Sequence, residues 1–348
     1  MPNFNTVKNL ELTIVAPWLS KSDWTGLIFS SIVKEAKEKK IQFNIVIGFH
    51  IDNQKKAKVC EPFSFLYPKL KVVEKMVHLA NKNRLGNRIV IIDSSFVNIK
   101  AIRYLAGPKR YISCFVNGGF FQEHDLDRQT ISGYDRELER YEEGHYSLID
   151  KILLPSKYAL KIFLNKYPTL RNKTSYHYYP LDIKSNNILK FSSRKGYLYA
   201  SRKSFEKGFD VISELDSKIL KIDFIIGLKN SLFRKKLLKY KALLIPSRAD
   251  LFGFCALEAL LEGVIPVVPK GLSYDELVDI PENLKLSSSI NLNTVREIEK
   301  IIKQIESLSE SEYQKIILNA RRSIVKIMNN HNYNFSSALK FVFYGKKK

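Results

Sequence analysis

The chain has 348 residues, a length that favours two domains, and it is 45% hydrophobic and 12% aromatic, which supplies apolar cores and excludes intrinsic disorder. Its net charge of +22 favours anionic partners such as nucleic acid, an acidic membrane surface or a phosphorylated substrate, while scattered lysines in a Lys-, Ile- and Asn-rich chain equally make an ordinary solvated surface. No run of about 18 apolar residues exists to span a membrane as a helix, and Met1 to Leu10 lack the apolar core of a signal peptide, so a cytoplasmic protein is expected.

Leu10 to Ala16 predicts an apolar strand and Pro17 to Gly26 a loop. Leu27 to Lys39 predicts a helix with a stripe at Leu27, Ile28, Ile32, Val33 and Ala36, and Phe43 to Gly48 a second strand. This strand–loop–helix–strand opening signals a parallel α/β sheet. Val72 to Asn81 reads as a helix, and Arg88 to Asp93 and Tyr111 to Val116 as strands. Thr130 to Ser147 reads as a charged helix or lid, Lys151 to Pro155 as a short strand and Lys157 to Leu164 as a helix. Tyr176 to Asp182 and the polar run Lys184 to Lys195 form the expected hinge.

A second α/β pattern follows. Gly196 to Ala200 predicts a strand, Gly208 to Leu220 a helix, Ile222 to Ile226 a strand and Leu232 to Lys239 a helix. The strand Ala242 to Ile245 then enters a polar turn, a glycine and a helix that is apolar almost all round, before the strand Val264 to Val268. Thr294 to Ile305 and Glu312 to Ile327 are amphipathic helices, Ser336 to Phe343 a last helix and Lys346 to Lys348 a frayed tail. The expected organisation is residues 1–183, residues 184–328, and a terminal helix with its basic tail over 329–348.

The richest stretch is Pro246-Ser-Arg-Ala-Asp250-Leu-Phe-Gly253-Phe254-Cys255-Ala-Leu-Glu258-Ala-Leu-Leu-Glu262-Gly263. Carboxylates are almost never fully buried without a partner, so Glu258, set among apolar neighbours, is expected to face water or a ligand. A strand, a glycine turn and a helix N-terminus suit a bound polyol phosphate: the free amides attract phosphate and carboxylates accept sugar hydroxyl protons. Upstream, Tyr197-Leu-Tyr-Ala-Ser-Arg202-Lys-Ser-Phe-Glu-Lys207-Gly208 places two cations after a strand. The plain alternative is an ordinary buried αβ unit and two surface cations.

These two stretches resemble the donor-site signature of retaining GT-B glycosyltransferases: an acid, seven residues and a Glu, with Phe-Gly after the acid, preceded by an Arg and a Lys-Gly. Here the first acid is Asp250, one methylene shorter than the usual Glu, and Ser201 replaces a glycine. Lys270-Gly271-Leu-Ser-Tyr-Asp-Glu276 resembles the family's later glycine loop, and Asp150 to Ser156 and Tyr178 to Asp182 its domain-closing strand and hinge. About one αβ unit of the family's second domain is missing between Ile222 and Lys241.

The resemblance implies an α/β GT-B fold: two Rossmann-like domains facing across a cleft, the C-terminal helix crossing back to the first. It implies that Arg202 and Lys207 hold the donor diphosphate, helped by the amides after Gly253, those of Phe254 and Cys255. Glu258 then takes the ribose hydroxyls and Asp250 the transferred hexose. The acceptor side is expected at Trp24, Thr25 and Gly26 and near Asn117, where many members carry a His; His124 is the other candidate for that role. A turn capped by Ser22 or Asp23, and a turn-forming Asn-Gly-Gly, are the plain readings of these two segments.

The implied co-substrate is a nucleotide-sugar, with no metal and no other cofactor. Asp125-Leu-Asp127 spells a metal motif of another fold and is discounted, and His124, His145 and His177 lack metal-ligand spacing. Cys60, Cys114 and Cys255 read as reduced core residues. The expected acceptor is a cell-envelope glycan or lipid-linked molecule, met peripherally at the inner membrane surface. A DNA-modifying enzyme of the phage type ranks second, and a non-catalytic nucleotide-sugar-binding or partner subunit third.

Overall fold

The computed structural model describes residues 10–19, 24–50, 66–94, 97–119, 121–122, 142–184, 188–218, 220, 222–225, 228 and 230–345. Two parallel sheets organise them. The first has six strands in the order β2-β1-β3-β4-β5-β6: β1 Glu11–Leu19, β2 Gln42–His50, β3 Arg88–Ile92, β4 Tyr111–Phe115, β5 Lys151–Leu154 and β6 Thr174–Tyr176. The second has four in the order β10-β9-β7-β8: β7 Tyr197–Tyr199, β8 Ile222–Phe224, β9 Ala242–Leu244 and β10 Ile265–Val267. Strands covered by helices on both faces read as unbroken apolar runs rather than alternating ones. Val90 to Ile92 and Ala242 to Leu244 are buried on that pattern.

The helices are α1 Trp24–Glu38, α2 Leu66–Asn81, α3 Ile99–Ala106, α4 Lys157–Lys166, α5 Phe209–Lys218, α6 Asn230–Leu237, α7 Phe254–Leu261, α8 Tyr274–Leu277, α9 Thr294–Glu306, α10 Glu310–Met328 and α11 Phe335–Tyr344. Caps set several of their starts. Ser156 accepts from Ala159 N ahead of α4, Asn334 from Ser337 N ahead of α11, and Ser309 with Glu312 forms a capping box on α10.

The last helix returns to the first sheet, as expected. Phe335 lies against Phe115 at 5.4 Å, Ser337 Oγ lies 2.7 Å from His177 Nδ1, and Gly345 presses on the Tyr111 ring closely enough that a Cβ would meet it at 2.4 Å. One apolar cluster runs from Ile14, Ile92 and Phe115 through Tyr179 and Phe335 into Leu243 and Ala256, so both sheets share a core. Cys114 is buried and free, Cys255 is free and partly exposed, and Cys60 lies outside the described residues.

Three details differ from the expected elements. β1 continues to Leu19 and α1 already begins at Trp24, so Gly26 sits within a helix rather than in a loop. α3 was not anticipated, because eight residues give too little periodicity to stand out; its Asn98 cap and buried Ile99, Ile102 and Ala106 appear only in three dimensions. Thr174 to Tyr176, partly assigned to the hinge, adds the edge strand beside β5.

Candidate active site

The polar groups of interest gather where β7 and β9 end. Gly208 follows a tight turn with φ of 67°, and a Cβ there would lie 2.0 Å from Pro246 O, so only glycine lets the two loops meet. Once they meet, they zip together. Arg248 N donates to Glu206 O at 2.8 Å, and Lys207 Nζ donates to Ala249 O at 2.8 Å. The Arg248 side chain clamps Asp210 with two bonds of 2.8 and 2.7 Å and lies over the Phe205 ring at 3.7 Å. This clamp holds the Asp210 carboxyl below its ordinary range against the opposing effect of burial.

Lys207 Nζ is thereby placed 3.5 Å from Asp250 Oδ2. The Asp250 carboxylate also serves its own turn: Oδ1 accepts from Phe252 N at 3.1 Å and Gly253 N at 2.6 Å, and Oδ2 from the Tyr274 hydroxyl at 3.0 Å. Burial, and next the Asp250 charge, push the Tyr274 phenol well above its ordinary value, so it stays a donor. Gly253, at φ 74°, packs its Cα on the Tyr274 ring and starts α7. Phe254 and Cys255 then offer amides of the first helical turn, which have no carbonyl four residues back within the helix.

The far end of α7 is loaded with cations. Arg321 donates to the carbonyls of Leu260 and Leu261, and Arg194 to that of Glu262 at 2.7 Å. Guanidinium groups at a helix C-terminus stabilise the helix dipole and leave its positive pole toward Gly253. The neighbouring Glu262 carboxylate is buried with Arg234, whose Nε donates at 2.6 Å and whose other nitrogens reach the carbonyls of Asp182 and Lys184 in the hinge.

Glu258 was expected to face water or a ligand; its residue is only 5% exposed, so open water is excluded. It shares a cluster with Cys255, whose thiol is pushed up to about 12 by burial and then by the Glu258 and Asp250 charges, with Lys207 opposing. Lys207, Asp250, Gly253, Phe254, Cys255 and Glu258 therefore converge. Arg202 stands apart on the same loop, exposed and bonded to Glu206 Oε1 at 3.0 Å.

The first sheet reaches this site through aromatic rings. Trp24 stacks on Tyr179 at 5.9 Å, Tyr179 meets Phe252 at 5.9 Å, and Phe252 meets Phe254 at 4.5 Å. Thr25 and Gly26 are buried in the first turn of α1, so they pack rather than line a surface. Asn117 follows β4 with its Oδ1 buried and without a hydrogen-bond partner. His124 lies outside the described residues, as do Asp125, Asp127, Ser22, Asp23 and most of the segment Thr130 to Ser147.

Two polar contacts tie the sheets' loops together: Ser156 Oγ donates to Leu251 O at 2.6 Å, and Tyr158 N to Glu276 Oε1 at 2.9 Å. Burial raises the Glu276 carboxyl above its ordinary value. Glu206, Tyr179, Arg248, Tyr274 and Glu262 lie within the quoted stretches and Arg234 outside them, and spacing assigns none of them a role. Their partners include residues 24 (Tyr274–Asp250), 28 (Arg234–Glu262), 38 (Arg248–Asp210), 41 (Glu206–Ser247) and 155 (Tyr179–Trp24) positions away, which only folding brings near; Arg248 alone had a signal, as the one cation between Pro246 and Gly263.

Two parallel sheets with a helix crossing back define the GT-B fold, and solved structures agree. No protein-family model and no curated protein matches the chain. WaaG, a glycosyltransferase involved in lipopolysaccharide biosynthesis, superposes with a TM-score of 0.64 at 13% identity, covering 97% of this chain and 100% of WaaG. Sucrose-phosphate synthase from Thermosynechococcus elongatus gives 0.66 at 11% identity, covering 96% and 97%. A TarM variant from S. aureus, in complex with fondaparinux, alpha-GlcNAc-glycerol and UDP, gives 0.56 at 14% identity over 78% of this chain. The match spans 57% of the TarM chain. Among the described residues no helix is long and apolar enough to cross a membrane.

Proposed function

We propose that this chain is a glycosyltransferase that moves a hexose-type sugar from a nucleotide-sugar donor to a cell-envelope glycan or lipid-linked acceptor, with retention of configuration. The observation that carries the reading is the Lys207–Asp250 pair at 3.5 Å, held beside the N-terminus of α7 by two zipped loops in a GT-B fold. As the bond between the sugar and the diphosphate breaks, negative charge builds on the leaving group. Lys207, Arg202 and the amides of Phe254 and Cys255 stabilise that charge. Glu258 takes the ribose hydroxyls and Asp250 the transferred sugar. The acceptor approaches from Trp24 and Asn117, and a phosphate oxygen of the leaving group receives its proton, without a metal ion.

The neighbours support this reading: one is described with UDP bound and another as acting in lipopolysaccharide synthesis. The basic surface suits peripheral association with the anionic inner face of a cell membrane. One observation favours a second reading, nucleotide-sugar binding without transfer: both Asp250 oxygens are already engaged by Phe252 N, Gly253 N and Tyr274.

The test is calorimetric titration of UDP-, GDP-, ADP-, CMP- and TDP-linked sugars on the wild type and on Lys207→Ala, with and without EDTA. Saturable binding of one donor, weakened in the variant and indifferent to EDTA, is the expected result. Failure of every donor to bind overturns the reading. A donor that binds but is neither transferred nor slowly hydrolysed selects the second one.

A further inference from the structure

Glu206 shares a loop with the two cations assigned to the diphosphate, yet its environment is unlike theirs. Its side chain is 2% exposed, against 60% for Arg202 and 20% for Lys207. Its backbone is pinned through the carbonyl, which accepts from Arg248 N at 2.8 Å and Ser247 Oγ at 3.3 Å. Its Oε1 accepts from Ser204 Oγ at 2.7 Å and from Arg202 Nη2 at 3.0 Å. Its Oε2 is buried with no hydrogen-bond partner.

A buried carboxylate at the rim of an anion site opposes anion binding through its charge, and an unpaired buried oxygen is unfavourable in itself. Both features make sense together if the carboxylate serves a cation that moves. An exposed arginine samples many rotamers and loses that freedom when it engages a ligand. One hydrogen bond to a rigid carboxylate removes most of that freedom beforehand. It leaves the rest of the planar guanidinium fork able to reach phosphate oxygens.

We propose that Glu206 is a positioning residue of the donor site: it holds Arg202 ready through Oε1 and completes a two-bond pair through Oε2 when a nucleoside diphosphate draws the guanidinium inward. The inference rests on the donor-site reading above. The resting pair has one bond and leaves Arg202 60% exposed. A bound diphosphate draws the guanidinium inward, and the bidentate pair this completes is the stronger geometry. Glu206 touches neither sugar nor phosphate and acts only through Arg202.

The experiment is titration calorimetry with UDP, GDP, ADP, CDP and TDP on the wild type, Glu206→Gln, Arg202→Ala and the double variant, with thermal unfolding of each. Glu206→Gln keeps an acceptor for Ser204 but loses the charge that holds Arg202. Its affinity for the preferred nucleotide should fall about tenfold, as for loss of one charge-assisted bond, while its unfolding temperature stays level or rises. In the Arg202→Ala background the same change should cause no further loss: affinity should stay level or rise, because only the carboxylate's repulsion of the anion is removed. Additive losses, or binding by Glu206→Gln as tight as the wild type, overturn the proposal while leaving the donor site standing. A wild type that binds none of the five nucleotides overturns the donor site itself and the proposal with it.

Discussion

Replacing Gly208 with alanine separates packing from backbone strain, because Gly196 supplies a matched control. Both glycines have a left-handed backbone, φ 67° and 72°. A Cβ at position 196 meets nothing within 4 Å, so Gly196→Ala should cost only the left-handed penalty of about 1–2 kcal/mol. At position 208 the new carbon would lie 2.0 Å from Pro246 O and 2.9 Å from its carbonyl carbon, both backbone atoms that no rotamer can move. The loops must part by about 1 Å, which stretches the Arg248 N–Glu206 O and Lys207–Ala249 O bonds, at about 1 kcal/mol each. Gly208→Ala should therefore destabilise by about 3–4 kcal/mol in urea unfolding. It should also weaken binding of the preferred nucleoside diphosphate at least tenfold, since Lys207 moves with its loop. Equal destabilisation by the two variants, together with unchanged nucleotide affinity in Gly208→Ala, would refute the zipped-loop account.

Arg234→Ala removes the cation hydrogen-bonded to the buried Glu262 carboxylate and should cost about 3–5 kcal/mol, read as a large fall in unfolding temperature. The paired change Arg234→Met with Glu262→Leu should recover most of the loss, and its failure to do so would mean the hinge carbonyl bonds matter more than the charge pair. Asp250→Asn keeps an acceptor for Phe252 N and Gly253 N but removes the negative charge beside Lys207. On the proposed function, the preferred nucleoside diphosphate should bind at least as tightly while sugar transfer is lost, and intact transfer would remove Asp250 from contact with the sugar. His177, bonded to Ser175 and Ser337, has its pKa lowered to about 4 by burial and then by Lys151. The folded form thus favours the neutral ring, so stability from this group is full above the unfolded value of 6.5 and drains away as pH falls toward about 4. Unfolding temperature should drop across that window, and His177→Asn should lessen the drop, leaving the part due to His145, whose pKa burial and then Lys100 also lower to about 4.

Much of the fold was legible because helix and strand periods are local. The stripe Leu27, Ile28, Ile32, Val33 and Ala36 marked α1, and the glycine before Phe254 marked the start of α7. Long-range contacts were less legible: the Trp24 ring stacks on Tyr179, a residue 155 positions on, and no local signal encodes that pairing. The same distance problem hid Glu206, which looks like an ordinary loop residue until the loops of β7 and β9 meet, and Tyr274, whose hydroxyl reaches Asp250 from α8.

The amino-acid order by itself determined two α/β units, a glycine-started helix and the cations and carboxylates that surround it, since these follow from spacing and residue type. Tertiary structure decided how those groups divide. It set Lys207 against Asp250, gave Arg202 to Glu206, turned the Asp250 carboxylate back on its own turn and buried Glu258. Charge and hydrogen bonding act over a few ångströms, and only the folded chain brings residues from distant turns within that reach.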